Sequence, residues 1–149
     1  LLVFVAEMAL LPEFGKQKKR AHFPGAEMAT ALTQRWHDAT GQPLEYVIGS
    51  IWLGGNLAYY SPDHPSVLFD GDPQRSPWFE VENAAHSGAL IVWNLSMDGE
   101  ADTYQRLLKD YPSAVRGEVL EFSWPAQDQP PVRIGWAIVP PVNQLSSQK

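Results

Sequence analysis

The chain has 149 residues, of which 44% are hydrophobic, and 11 Lys+Arg stand against 17 Asp+Glu for a formal net charge of −6. That length predicts one ordinary domain with a core of its own, and the acidic balance excludes a nucleic-acid partner, whose phosphates need a basic face. The absence of cysteine excludes disulfides, thiolate metal sites and cysteine nucleophiles, and no uninterrupted apolar run reaches the ~18–20 residues of a membrane span.

The charge is unevenly spread. Residues 1–23 hold Lys16, Lys18, Lys19 and Arg20 against Glu7 and Glu13, whereas residues 24–149 hold 7 basic and 15 acidic groups, a net of −8. Leu1 to Leu11 is apolar apart from Glu7, and the basic cluster follows it. A signal peptide has the opposite order. The remaining readings are a surface or packed helix, or the end of a membrane helix, since twelve helical residues cover about 18 Å of a ~30 Å hydrocarbon core. A first residue Leu1 in place of Met suits a piece of a longer protein. Residues 1–23 are accordingly set apart as a membrane-proximal stub or linker, 24–141 as a single domain and 142–149 as a polar tail.

Along the chain, Pro24 occupies a first-turn position and Gly41 a terminator position, and Met28, Leu32 and Trp36 share one stripe between them; the pattern predicts a helix over Pro24–Thr40. Leu44–Ile48 reads as a buried strand. Gly54-Gly55 predicts a break, with a short helix from Asn56 to Tyr60 stopped by Pro62. Ser66–Phe69 is a second strand ending at the turn Asp70-Gly71-Asp72-Pro73. Glu80–Ser87 reads as a short helix closed by Gly88, and Ala89–Trp93 as a third strand, continuous and apolar as parallel strands are. Glu100–Tyr111 is a helix with Tyr104, Leu107, Leu108 and Tyr111 facing inward. Gly117–Trp124 and Pro131–Val139 alternate with period 2 around a turn-rich Pro125–Pro130, which predicts an antiparallel pair. The sum is an α/β layered sandwich: a short mixed sheet, with parallel strands in the order 2-1-3 and a C-terminal antiparallel hairpin beyond strand 3, flanked by helices.

Candidate chemistry is sparse. Asp70 and Asp72 suit a carboxylate pair or a divalent-cation site, but also ordinary turn chemistry in which each side chain bonds a nearby amide. Asn56 after Gly54-Gly55 suits either an N-cap or an anion site on exposed amides. His64 reads as an acid–base group or a solvated loop residue, and His22, His37 and His86 are too scattered for a metal site. No G-x-S-x-G elbow occurs. Arg75 and Trp78 pair a planar cation with an aromatic face, a lip for carbohydrate or an acidic ligand, whereas Trp36, Trp93 and Trp136 lie on apolar stripes and belong to the core. With strand order 2-1-3, the crevice at the carboxyl ends of strands 1 and 3 is the default ligand site. Ser50, Trp52, Asn56, Asn94 and Ser96 are expected to line it, beside Asp70 and Asp72. No catalytic constellation is visible there.

Several stretches resemble the C-terminal soluble region of bacterial family 39 glycosyltransferases, the dolichyl-phosphate-mannose–protein mannosyltransferase-like membrane enzymes. They are His22-Phe23-Pro24-Gly25, Asn56 to Val67, Asp70-Gly71-Asp72-Pro73 with Ser76-Pro77-Trp78, Gly88 to Trp93, and Val132 to Pro141. The resemblance implies an accessory periplasmic domain of an inner-membrane enzyme that uses a polyprenyl-phosphate-linked sugar, inactive alone and binding acceptor glycan or covering the active site. It implies no cofactor in this segment, a divalent metal in some parent enzymes, and two partners: the membrane portion of the same polypeptide and glycan or lipid-linked sugar. The family's catalytic acids lie in a region without counterpart here, so no catalytic residue is carried over. The basic cluster Lys16–Arg20 would by itself favour a cytoplasmic flank, against the periplasmic side that the resemblance implies. The alternatives are a stand-alone carbohydrate-binding or scaffolding module, and a small metal-dependent hydrolase using Asp70 and Asp72.

Overall fold

A computed structural model describes residues 22–125 and 128–146; the apolar-basic stub before His22 and the last three residues of the tail lie outside the described residues. Helix α1 (Gly25–Thr40) buries Met28, Leu32 and Trp36, as its stripe predicts, and ends on Gly41, whose left-handed backbone lets its N–H reach His37 O at 2.8 Å. Strand β1 (Tyr46–Gly49), helix α2 (Ile51–Tyr60) and strand β2 (Ser66–Phe69) form a first parallel unit, and helix α3 (Val81–Ser87) leads to strand β3 (Ala89–Asn94). Helix α4 (Glu100–Leu107), strands β4 (Val115–Arg116), β5 (Leu120–Phe122) and β6 (Val132–Val139), and one turn of helix α5 (Val142–Leu145) complete the order.

The sheet runs β2-β1-β3-β6-β4, with β5 also on β6; β2, β1 and β3 are parallel and β6 is antiparallel to β3. The 2-1-3 order and the antiparallel C-terminal strand beside β3 are the topology the strand pattern predicts. Alternate residues divide the sheet between two cores. Val47, Val67, Leu90, Val92 and Ile134 face α1 and α2, while Ile48, Leu68, Ile91 and Trp93 face α3 and α4. The β1–β2 and β2–β3 connections travel in opposite directions and use opposite faces, as connections of one hand must. The result is an α/β sandwich of three layers. No helix among the described residues is long and apolar enough to cross a membrane.

Three local expectations are corrected. Gly54-Gly55 does not break the chain: α2 runs through both, because its cap is Ser50, whose Oγ accepts Leu53 N–H at 3.3 Å. Gly54 lies against Val67 of β2 so closely that a Cβ would overlap its side chain, so this glycine lets a helix approach a strand. Asn56 is therefore no N-cap, and its amide donates to Trp52 O at 2.7 Å within the helix. The helix from Glu100 stops at Leu107 and tightens into a 3₁₀ turn over Leu108–Asp110. The strand expected over Gly117–Trp124 is split, since the register to β6 slips by one residue between Arg116↔Ala137 and Leu120↔Ile134. Glu118 and Val119 thus bulge opposite Gly135, and the Trp136 indole N–H takes the Glu118 carbonyl at 2.7 Å, out of the ladder.

That bulge blunts one edge of the sheet. The other edge, β2, is sealed by the segment Ser76-Pro77-Trp78. The Phe69 N–H donates to Ser76 Oγ at 2.9 Å, and the Trp78 indole donates to Val67 O at 3.2 Å.

Asp63 joins α1 to the α2–β2 loop: its Oδ2 accepts Leu44 N–H at 2.8 Å and lies 2.6 Å from His37 Nε2. Burial pushes this carboxyl up, but the Leu44 N–H and His37, with His64 nearby, outweigh it and hold it below its ordinary value. A depressed carboxyl stabilises the fold above its unfolded value and loses that contribution as pH falls through the folded one. Urea midpoints of the parent and Asp63→Asn should therefore lie furthest apart near neutrality and converge below about pH 4; a gap independent of pH would show that the charge is not involved.

Candidate functional site at the carboxyl ends of the parallel strands

The sheet reverses its direction of growth between β1 and β3, which opens a crevice beyond their carboxyl ends. Each parallel strand delivers one polar residue there. Ser50 follows β1 as the cap of α2, Asp70 follows β2, and Asn94 closes β3. Asp70 adopts a left-handed backbone (φ 53°), a conformation that Asp tolerates better than most residues. Its N–H is tied to Gly49 O at 2.9 Å, which joins the ends of β1 and β2.

The side chains then meet. Arg75 Nη1 donates to Asp70 Oδ2 at 2.5 Å, and the Tyr104 hydroxyl lies 3.4 Å from Asp70 Oδ1. Glu100, the first residue of α4, accepts Asn94 N–H on Oε1 at 2.9 Å. Asn94 Oδ1 in turn accepts Ser96 N–H at 2.8 Å, and Ser96 Oγ accepts Arg133 N–H at 3.0 Å, which fixes the loop after β3 to β6. Burial pushes the Glu100 carboxyl up; the Asn94 N–H opposes this, the Asp70 charge adds to it, and the Ser50 hydroxyl opposes it again, leaving Glu100 above its ordinary value. Tyr104 is held far above its ordinary value by burial first, then by Asp70 and Glu100. Its phenol is therefore a neutral donor. The crevice thus gathers two carboxyls, a hydroxyl, a phenol and a guanidinium.

Of the residues expected in the crevice, Ser50, Asp70 and Asn94 are gathered there, with Ser96 just behind, and Arg75, expected only as part of a lip with Trp78, joins them through Asp70. Asp72 does not: its Oδ1 accepts Gln74 N–H at 2.9 Å and caps the 3₁₀ turn over Pro73–Arg75. The carboxyl that shares the site with Asp70 is Glu100, thirty residues on. Trp52 packs edge-on against Phe23, their centroids 5.6 Å apart, and Asn56 is bonded within α2. Trp78 serves the β2 edge and rests on Phe69 at 5.6 Å while 54% exposed, so the lip expected of Arg75 and Trp78 is divided: Arg75 turns to Asp70 and Trp78 to the strand. Glu100 and Tyr104 are the site residues that the sequence reading passed over as helix residues. The signal for them was available, because Glu100 opens the helix that follows the third strand, and a residue there lies beside a switch point.

His64 bonds Ala58 O through Nδ1 at 3.0 Å and His37 pairs with Asp63, so both histidines are engaged away from the crevice. No group of three or more His, Asp or Glu side chains suited to a metal ion occurs among the described residues. Two apolar cavities, of about 360 and 190 Å³, lie elsewhere, beside β4 and beneath α3. The crevice is singled out by the convergence of its polar groups, and the cavities by shape.

Fold and site together define a three-layer α/β domain with a polar crevice at its topological switch point. No family model, no curated protein and no solved structure matches the chain.

Proposed function

We propose that the domain binds carbohydrate in the crevice, as an accessory extracytoplasmic domain of a polyprenyl-phosphate-sugar-dependent glycosyltransferase of the bacterial inner membrane, inactive in transfer by itself. The observation that carries the reading is the meeting of Asp70, Glu100, Ser50 and Arg75 at the ends of three strands. Carboxylates that accept, and hydroxyl and guanidinium groups that donate, suit a polyhydroxyl ligand better than an apolar or a strongly anionic one. The motif resemblance from His22 to Pro141 supplies the parent enzyme, its lipid-linked donor and the periplasmic side. The membrane portion of the same polypeptide is then the covalent partner, and any divalent metal belongs to that portion.

Calorimetric titration of the chain with a panel of neutral and acidic oligosaccharides tests the binding. A member of the panel is expected to bind, and Asp70→Asn and Glu100→Gln are each expected to weaken it about tenfold, the effect of one charge-assisted hydrogen bond. Silence across the panel, or affinity unchanged in both variants, would overturn the proposal. Asp72→Ala, which removes only a turn cap, should leave binding within about twofold.

A further inference from the structure

The α1–α2 layer reaches across to β6, where Trp136 and Ile138 are buried and Arg35 of α1 lies 6.0 Å over the Trp136 ring, but it leaves the short edge strand β4 exposed. There the larger cavity, of about 360 Å³, lies between the carboxyl end of α1, α5 and the edge strand. This volume falls in the lower part of the ~300–1,000 Å³ range of small-molecule sites. Its floor is Trp136 and Ile138, and its walls are Ala39, Val115, Pro140 and Leu145. Val115 and Leu145 remain 65% and 43% exposed, although each is apolar.

The walls are fixed by polar ties, made by the lining residues Trp136 and Gln144. The Trp136 indole is held by Glu118 O at 2.7 Å, and Gln144 Nε2 donates to Thr40 O at 3.0 Å, which anchors α5 to the end of α1. An apolar cavity with such walls cannot collapse to recover its lost contacts, and it offers water few partners. At its rim stands Arg116. Arg35, Arg75 and Arg133 each pair with a carboxylate, at Glu118, Asp70 and Glu121 respectively, whereas Arg116 enters no ion pair among the described residues. Arg106 and Lys109 likewise enter no ion pair among the described residues, but of these cations only Arg116 lines the cavity, where its charge complements an anion.

From the fixed apolar walls and the single rim cation we infer that this cavity is a binding site for a monoanionic aliphatic amphiphile, its chain on Trp136 and Ile138 and its carboxylate on Arg116. The site is independent of the crevice: Ile138 pairs with Leu90 at the amino end of β3, whereas the crevice lies beyond the carboxyl end.

The test uses the full chain and monomeric decanoate below its micelle concentration, compared with decanol and decyltrimethylammonium. The Trp136 indole N–H resonance, assigned with Trp136→Phe, is the reporter. Saturable decanoate binding that moves this resonance is expected, with decanol weaker and the cationic amphiphile weakest. Arg116→Gln, at an exposed position, should weaken decanoate about five- to tenfold and leave decanol unchanged, so that the preference between them disappears. Ala39→Phe, also at an exposed position, should fill the mouth and abolish binding of both. Absence of saturable binding, a cationic amphiphile that binds as well as decanoate, shifts that miss Trp136, or an unaffected Ala39→Phe variant would each overturn the inference. None of these results bears on carbohydrate binding in the crevice, which Asp70→Asn reads separately.

Discussion

Gly135→Ala is expected to destabilise the fold by about 3 kcal/mol, near the upper end of what an added methyl group does in a well-packed core. Gly135 sits in the middle of β6, directly across from Trp93 of β3 in the antiparallel register. A Cβ at this position would fall inside the Trp93 indole. The ring cannot retreat, because its far side is stacked on Tyr104 with centroids 6.1 Å apart and planes 18° from parallel. Both strands lie inside the sheet, so backbone movement would disturb the ladders on either side. The buried Trp93 indole N–H has no hydrogen-bond partner among the described residues, so its site is already tight and imperfectly satisfied. The urea midpoint measures the loss. Adding Trp93→Leu to Gly135→Ala should recover part of it, since the double variant removes the overlap and an unsatisfied donor together. A Gly135→Ala variant within about 1 kcal/mol of the parent would mean that the strands part easily, contrary to this packing.

Tyr104→Ala is expected to cost about 3–5 kcal/mol, the range for deleting a buried aromatic ring, and Tyr104→Phe less than about 1 kcal/mol. Tyr104 is 1% exposed, stacks on Trp93 and forms the floor under Asp70. The ring carries the packing. The hydroxyl reaches Asp70 Oδ1 only at 3.4 Å, longer than a good O–H···O bond. The pair of variants therefore separates two roles. Thermal unfolding should show Ala far below Phe, while the oligosaccharide affinity of Tyr104→Phe stays within about threefold of the parent. A Phe variant as unstable as the Ala variant would place the contribution in the hydroxyl and overturn the assignment of packing to the ring.

Much of the layering was legible because each parallel strand is short, apolar and closed by strong punctuation. Asp70-Gly71 after β2 and Gly88 before β3 mark their strands clearly, and Met28, Leu32 and Trp36 declare the buried face of α1. Expectation failed where a residue type has two uses. Gly54-Gly55 reads as a breaker from its propensity alone, but the approach of α2 to Val67 requires a glycine inside the helix. The period-2 pattern across Gly117–Trp124 holds from Val119 onward, yet a bulge changes no residue's polarity and so leaves no trace in the pattern. In the crevice, Ser50, Asp70 and Asn94 were found by their position after strands. Glu100 was missed because a glutamate opening a helix ordinarily favours the dipole at a helix start and nothing more, although it stands only six residues after Asn94, whose N–H it accepts.

The order of the strands has a consequence for the making of the protein. The strand that completes the sheet, β6, is the last of the described strands to leave the ribosome, yet it lies between β3 and β4. Before it arrives, β1, α2 and β2 can assemble as a parallel unit and β3 can join them, but Val115–Phe122 has no pairing partner, since β4 and β5 pair with β6. The nascent chain must therefore hold the open side of β3 and a run of unpaired backbone exposed until residues 132–139 are available. Such late, long-range closure slows folding and lengthens the interval in which a stray strand can pair there. The vulnerable moment of this domain is thus during its synthesis, at a seam that the finished sheet conceals in its interior.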